Sequence, residues 1–186
     1  MAFKLKHCIK SRTAEDNNIN NVPGVDVDKD PCLTYNFIIN NLQKLHFYCV
    51  NPIIQAFGIE NIFISSAYRC IELNTLIGGH LDSPHIQGYA VDLKVKNYSS
   101  ATLWNWCYQN LPNYHQLIWE YPELGEFSNS FDPCSWVHIS YVENNNIKTS
   151  SFSSKRLDLH EMYKSENTNK RGNMTHNISL ADNRII

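Results

Sequence analysis

Between Leu33 and Phe57 the apolar residues Ile38, Leu42, Leu45, Cys49 and Ile53 recur at spacings of four, three, four and four, the period of one α-helix face. This run predicts the main helix of a folded core. Pro52 has no amide N–H, so it is expected to kink that helix or to restart it as an early residue of a second segment. Gly58 stands where a C-terminal cap is wanted. Further along, the period changes. Ile62 to Ile64 reads as a short strand, and Cys70 to Ile77 as a short helix stopped by Gly78 and Gly79. Gly88 to Val95 reads as a second strand, and Ala101 to Asn110 as a helix capped by Ser99 or Ser100. Leu117 to Tyr121 and Ser135 to Tyr141 follow as a third and a fourth strand. Helices packed on one side of a small, mainly antiparallel sheet make an α+β domain.

The two ends of the chain lack this periodicity. Residues 1–32 mix charge, Asn and turn formers, with a turn at Val22-Pro23-Gly24-Val25-Asp26, and predict a loose arm wrapping the domain. Residues 143–186 are polar and rich in Asn and Ser, and predict a flexible tail. The folded domain is thereby placed at 33–142. Within it, Pro122 to Ser135 reads as a long loop of the kind that borders a substrate cleft.

Composition narrows the function classes. With 186 residues and 42% hydrophobic content, the chain suffices for one compact domain with a real core. A formal charge of -2, with Lys and Arg scattered rather than clustered, argues against nucleic acid as a partner. Cys8, Cys32, Cys49, Cys70, Cys107 and Cys134 lack the Cys-x-x-Cys pairing of a zinc ribbon or redox site, so free, buried thiols made in a reducing cytosol are expected. The N-terminal stretch has no apolar core long enough for a secretory signal. No run approaches a membrane span, so stable membrane association is not expected. Oligomeric state is left open.

The chemistry is concentrated in Ser83-Pro84-His85-Ile86-Gln87-Gly88-Tyr89-Ala90-Val91-Asp92. In an extended segment Gly88, Ala90 and Asp92 share a face, and the two small residues leave room beside the carboxylate. His85, in the turn leading into the strand, can fold back to the same ion. Trp136, His138 and Ser140 share the inner face of the fourth strand and supply a third donor. Two His and one carboxylate leave a fourth position open, as catalytic zinc sites do, and this donor set suits Zn2+. Leu157-Asp158-Leu159-His160-Glu161 is not a helical zinc motif, because Lys164 replaces the second His.

Ser-x-His-x-x-Gly-x-Ala-x-Asp, carried by Ser83, His85, Gly88, Ala90 and Asp92 and followed by Trp136-x-His138, resembles the zinc D-alanyl-D-alanine carboxypeptidases. That family includes phage-type L-alanyl-D-glutamate endopeptidases and has a hedgehog-like metal fold. Ser11 to Pro23, Ile64-Ser65-Ser66-Ala67-Tyr68-Arg69, Leu73-Asn74 and Gly78-Gly79 match it in order, so the resemblance runs from about residue 8 to about residue 142.

The resemblance implies a zinc metallopeptidase with His85, Asp92 and His138 as ligands and Ser83 and Trp136 as their supports. Arg69 would stabilise the charge that develops on the substrate carbonyl. Many carboxypeptidases of the family carry a Glu three residues before the last His, where this chain has Ser135. Glu120 is the substitute general base, with Glu123, Glu126 and Asp132 behind it. His80, Asp82 and His115 lie nearby but outside the motif and receive no role. The implied substrate is a D-amino-acid-containing bond in peptidoglycan stem peptides, cut by a phage-type protein made in a host cytoplasm and acting on the cell wall. A non-catalytic zinc-containing binding or virion-associated domain is the alternative.

Overall fold

A computed structural model of the chain describes residues 4–120 and 135–144, and the main chain of 149–153. Two short helices, α1 (Leu5–Ile9) and α2 (Arg12–Asp16), precede α3 (Tyr35–Leu45), which Thr34 caps by accepting the Phe37 amide at 3.3 Å. A π-helical segment, His46–Val50, joins α3 to α4 (Asn51–Phe57). Pro52 sits in the first turn of α4. Because it donates no hydrogen bond to the preceding turn, the helix widens just before it and restarts. Ile38, Leu42, Leu45, Cys49 and Ile53 are all buried, so one apolar face runs unbroken through the junction.

A 3-10 turn (Ile59–Asn61) leads to β1 (Ile62–Ser66), α5 (Ile71–Leu76), β2 (Ala90–Val95), α6 (Ser100–Asn110), β3 (Gln116–Glu120), β4 (Trp136–Ser140) and β5 (Thr149–Ser153). Ser99 caps α6 by accepting the Thr102 amide at 3.1 Å. The strands form one sheet in the order β1-β2-β4-β3-β5. Every pair is antiparallel except β3 with β5, which is parallel. The α+β expectation therefore holds. The fifth strand was not legible as one, and through it the sheet continues beyond residue 142. Leu93, Val95, Val137, Ile139 and Leu117 form the core side of the sheet, and the Trp104 indole of α6 donates to the Leu117 carbonyl at 3.3 Å.

The N-terminal segment is pinned rather than loose. Buried Asn21 donates to the carbonyls of Ile9 and Tyr68 and accepts the Cys70 amide at 2.7 Å. Buried Asp26 accepts the Ile71 amide at 2.7 Å, placing a carboxylate at the start of α5, where helix-end amides favour negative charge. These bonds clamp the chain on both sides of Arg69. The described cysteines are free thiols, buried at Cys49, Cys70 and Cys107 and exposed at Cys32. Burial pushes the Cys49 thiol up to about 12, so it stays protonated and unreactive. No described helix is long and apolar enough to cross a membrane.

Candidate metal centre

Asp92 on β2 and His138 on β4 are direct cross-strand partners, so their side chains emerge on the same face of the sheet. His85 reaches them from the turn before β2. The Asp92 Oδ1 to His138 Nδ1 distance is 2.8 Å, Asp92 Oδ1 to His85 Nε2 is 3.2 Å, and His85 Nε2 to His138 Nδ1 is 3.3 Å. Ligands sharing one tetrahedral zinc at roughly 2.0–2.2 Å stand about 3.3 Å apart, so this donor set matches the ion in type and spacing. Among the described residues these three form the cluster able to hold a metal, and all three are buried. His80, Asp82 and His115 do not join it.

Proton accounting points the same way. His85 Nδ1 lies 2.5 Å from the Ala67 carbonyl, which can only accept, so the ring proton sits on Nδ1 and Nε2 presents a lone pair. Burial pushes the His85 pKa below its ordinary value against the pull of Asp92, which keeps the ring neutral. For Asp92, burial alone would raise the carboxyl pKa. The group is nonetheless held well below the usual carboxylate range, and the Arg69 guanidinium on Oδ2 favours the ionised form. A neutral Nε2 and an ionised Oδ1 therefore face each other inside the protein, and His138 has one Nδ1 proton at most to offer them. At least one acceptor-acceptor contact remains, and a cation relieves such a contact.

Around the triad the chain braces its own ligands. Arg69 Nη2 donates to Asp92 Oδ2 at 2.7 Å, and Arg69 Nε donates to Ser66 Oγ at 2.7 Å. A β-bulge at Ser65 sets Ser66 opposite Asp92, and Ser65 Oγ donates to the Asp92 carbonyl at 3.1 Å. Burial lowers the Arg69 pKa, while the charges of Asp92 and Glu120 pull against that, so the guanidinium remains a cation among carboxylates.

The segment bearing His85 hangs from α5. Asn74 Nδ2 donates to the His80 carbonyl at 2.9 Å, which also accepts the Ser83 amide at 3.0 Å. A Cβ added to Gly79 would lie 2.3 Å from Asn74 Oδ1, so any larger residue there must displace the buried Asn74 amide. Gly88 was expected to leave room beside Asp92. It lies instead in the turn before β2 at φ +73°, where a Cβ would meet the Ile38 carbonyl at 2.8 Å. Its small size serves contact with α3, and β2 begins only at Ala90.

The triad forms the floor of an open cleft of about 710 Å³, whose walls include Ser66, Arg69, Ser83, Lys94, Glu120 and Trp136. Glu120, Arg69, Ser83 and Trp136 thus line one cleft together with the three candidate ligands. Ser135 is buried and occupied: its hydroxyl accepts the Trp119 indole N–H at 2.8 Å and donates to the Glu120 carbonyl at 2.8 Å. Glu123, Glu126 and Asp132 lie outside the described residues. Three participants escaped the sequence reading: the Ala67 carbonyl, Ser66 and Lys94. The alternation of Asp92 and Lys94 along β2 was the available signal for the last.

A family model described as Peptidase M15 matches residues 20–120, more than half of the chain. No curated protein matches it significantly.

Proposed function

Because the chain belongs to the peptidase M15 family, we propose that it is a zinc-dependent peptidase that hydrolyses D-amino-acid-containing peptide bonds of bacterial peptidoglycan, as a phage-type cell-wall hydrolase does. One observation carries the proposal most: two buried acceptors, His85 Nε2 and Asp92 Oδ1, converge with His138 Nδ1 at ligand spacing and lack the protons to satisfy one another. His85, Asp92 and His138 would hold the ion. Bound there, zinc supplies Lewis acidity toward a carbonyl and acidifies water.

The remaining work belongs to side chains. Glu120, on the cleft wall, is the general base that takes a proton from the attacking water and returns it to the leaving amine. Such a group contributes about a hundredfold to ten-thousandfold. Ser135 cannot share this duty, since its hydroxyl is committed to Trp119 and to the Glu120 main chain. Arg69 spends Nε and Nη2 on Ser66 and Asp92. A guanidinium carries five N–H groups, so donors remain for the oxygen on which charge develops. Ser83 and Trp136 shape the cleft beside the ligands.

The test is a digest of purified peptidoglycan read by mass spectrometry, with chelator and with zinc restored. Loss of a terminal alanine identifies a carboxypeptidase, and cleavage within stems or cross-links identifies an endopeptidase. The chelator should abolish either product and zinc should restore it. If no product forms while zinc binds stoichiometrically, the non-catalytic zinc-containing binding domain takes its place, the reading that Ser135 favours by standing where family carboxypeptidases carry Glu.

A further inference from the structure

β1 ends the sheet, with β2 on one side only. No hydrogen bond from another described residue reaches the outward-facing main-chain groups of Ile62 to Ser65. α1 packs beside this edge, and along it runs a second groove, of about 610 Å³, walled by α1, the start of α2 and the π-helical and α4 segments. Its floor is apolar, with Val50, Ile54 and Ile59, and its rim carries Lys4, His7, Lys10 and Arg12. No described Asp or Glu lines it. Acidic residues stand nearby in the chain, Glu15 and Glu60 near lining residues and Asp16, which pairs with Arg12 at 3.5 Å across solvent-exposed side chains. A pair so exposed contributes little and is readily exchanged. In a chain of net charge -2, this is a local concentration of cations.

Phe63 and Ser65 line both this groove and the metal-centre cleft, so the two are continuous across β1. Phe63 is 59% exposed there, an aromatic surface between the two depressions. An unpaired strand edge offers main-chain hydrogen bonds to any extended peptide, and flanking side chains choose which one.

We propose that the groove along the outer edge of β1 is an extended-peptide subsite that receives the carboxylate-bearing part of the substrate stem peptide as it leaves the metal centre over Ser65 and Phe63. The peptide adds to the edge of β1, and Lys10 and Arg12 receive its carboxylates. The inference rests on the peptidoglycan reading above, and its test does not depend on turnover.

The probe is purified sacculi stripped of teichoic acid, either native or with their carboxyl groups converted to amides. The full-length zinc-loaded protein is co-sedimented with them at low temperature. Lys10→Glu with Arg12→Glu should weaken binding to native sacculi by about tenfold, a change of about 1.4 kcal/mol, and added salt should narrow the gap. Amidated sacculi should bind the unaltered protein as weakly as native sacculi bind the variant. Both substitutions lie on exposed side chains, and an unchanged melting curve and zinc content show that the variant is intact. Lys10→Gln with Arg12→Gln should give a smaller loss in the same direction. Equal binding by the unaltered protein and the Glu variant, or equal binding to native and amidated sacculi, overturns the subsite. If sacculi bind in the predicted pattern but are never cut, the hydrolase reading fails and the subsite stands.

Discussion

Strands β2 and β4 present two buried faces made from alternate residues of the same segments. On one side Val91, Leu93, Val137 and Ile139 pack under the helices, and on the other Asp92 and His138 meet His85. The residues of both faces are buried, but burial does opposite things to them. Apolar side chains gain roughly 25 cal/mol for each Å² removed from water. A buried carboxylate and imidazole lose hydration and must recover it from partners. The core face can therefore be stabilised by packing alone. The other face depends on the Ala67 carbonyl, Arg69 and Ser66, and its donor set could hold a cation.

Exchanging residues between these two roles should separate metal binding from stability. The largest effect is expected from His85→Ala and His138→Ala, each of which should bring zinc content, measured by mass spectrometry of the metal, down to background and abolish hydrolysis. Full metal retention in both would show that the ion sits elsewhere. Glu120→Gln should cost about a hundredfold to ten-thousandfold in kcat while zinc stoichiometry stays at the level of the unaltered protein. Comparable turnover in this variant would move the base to another carboxylate.

Leu93→Ala, next to Asp92 but on the opposite face, should reverse the pattern. Denaturant titration should show a loss of about 2–5 kcal/mol, with zinc still bound under folding conditions. The smallest effect is expected at the brace. Gly79→Ala should destabilise by about 1–3 kcal/mol through its clash with Asn74. In a double-mutant cycle with Asn74→Ala the two losses should be less than additive, and strict additivity would show that the contact carries no energy.

Most of the fold was legible because it depends on local period. The spacing of Ile38, Leu42, Leu45, Cys49 and Ile53 located the main helix, and Pro52 located its interruption. The four strands that carry or flank the metal centre alternate as isolated strands do. The fifth was hidden, since Thr149-Ser150-Ser151-Phe152-Ser153 has little apolar alternation and its parallel pairing with β3 is long-range. Asn21 and Asp26 were read as parts of a loose polar arm for a related reason. What makes them structural is the set of amides at Cys70 and Ile71, far along the chain, that they satisfy.

The sequence by itself determined which residues could serve as a donor set, because a histidine seven residues before an aspartate, and a later Trp-x-His, are composition and spacing. It also determined the face of β2 on which Asp92 lies. Only the tertiary structure decided that Asp92 and His138 are opposite one another, that His85 is held as one tautomer by the Ala67 carbonyl, and that Arg69 turns toward Asp92. It also decided that Gly88 serves the approach of α3. Side-chain period is a property of the local backbone. The state of a buried proton, and the partner of a buried charge, are set by groups that meet only when the chain has closed on itself.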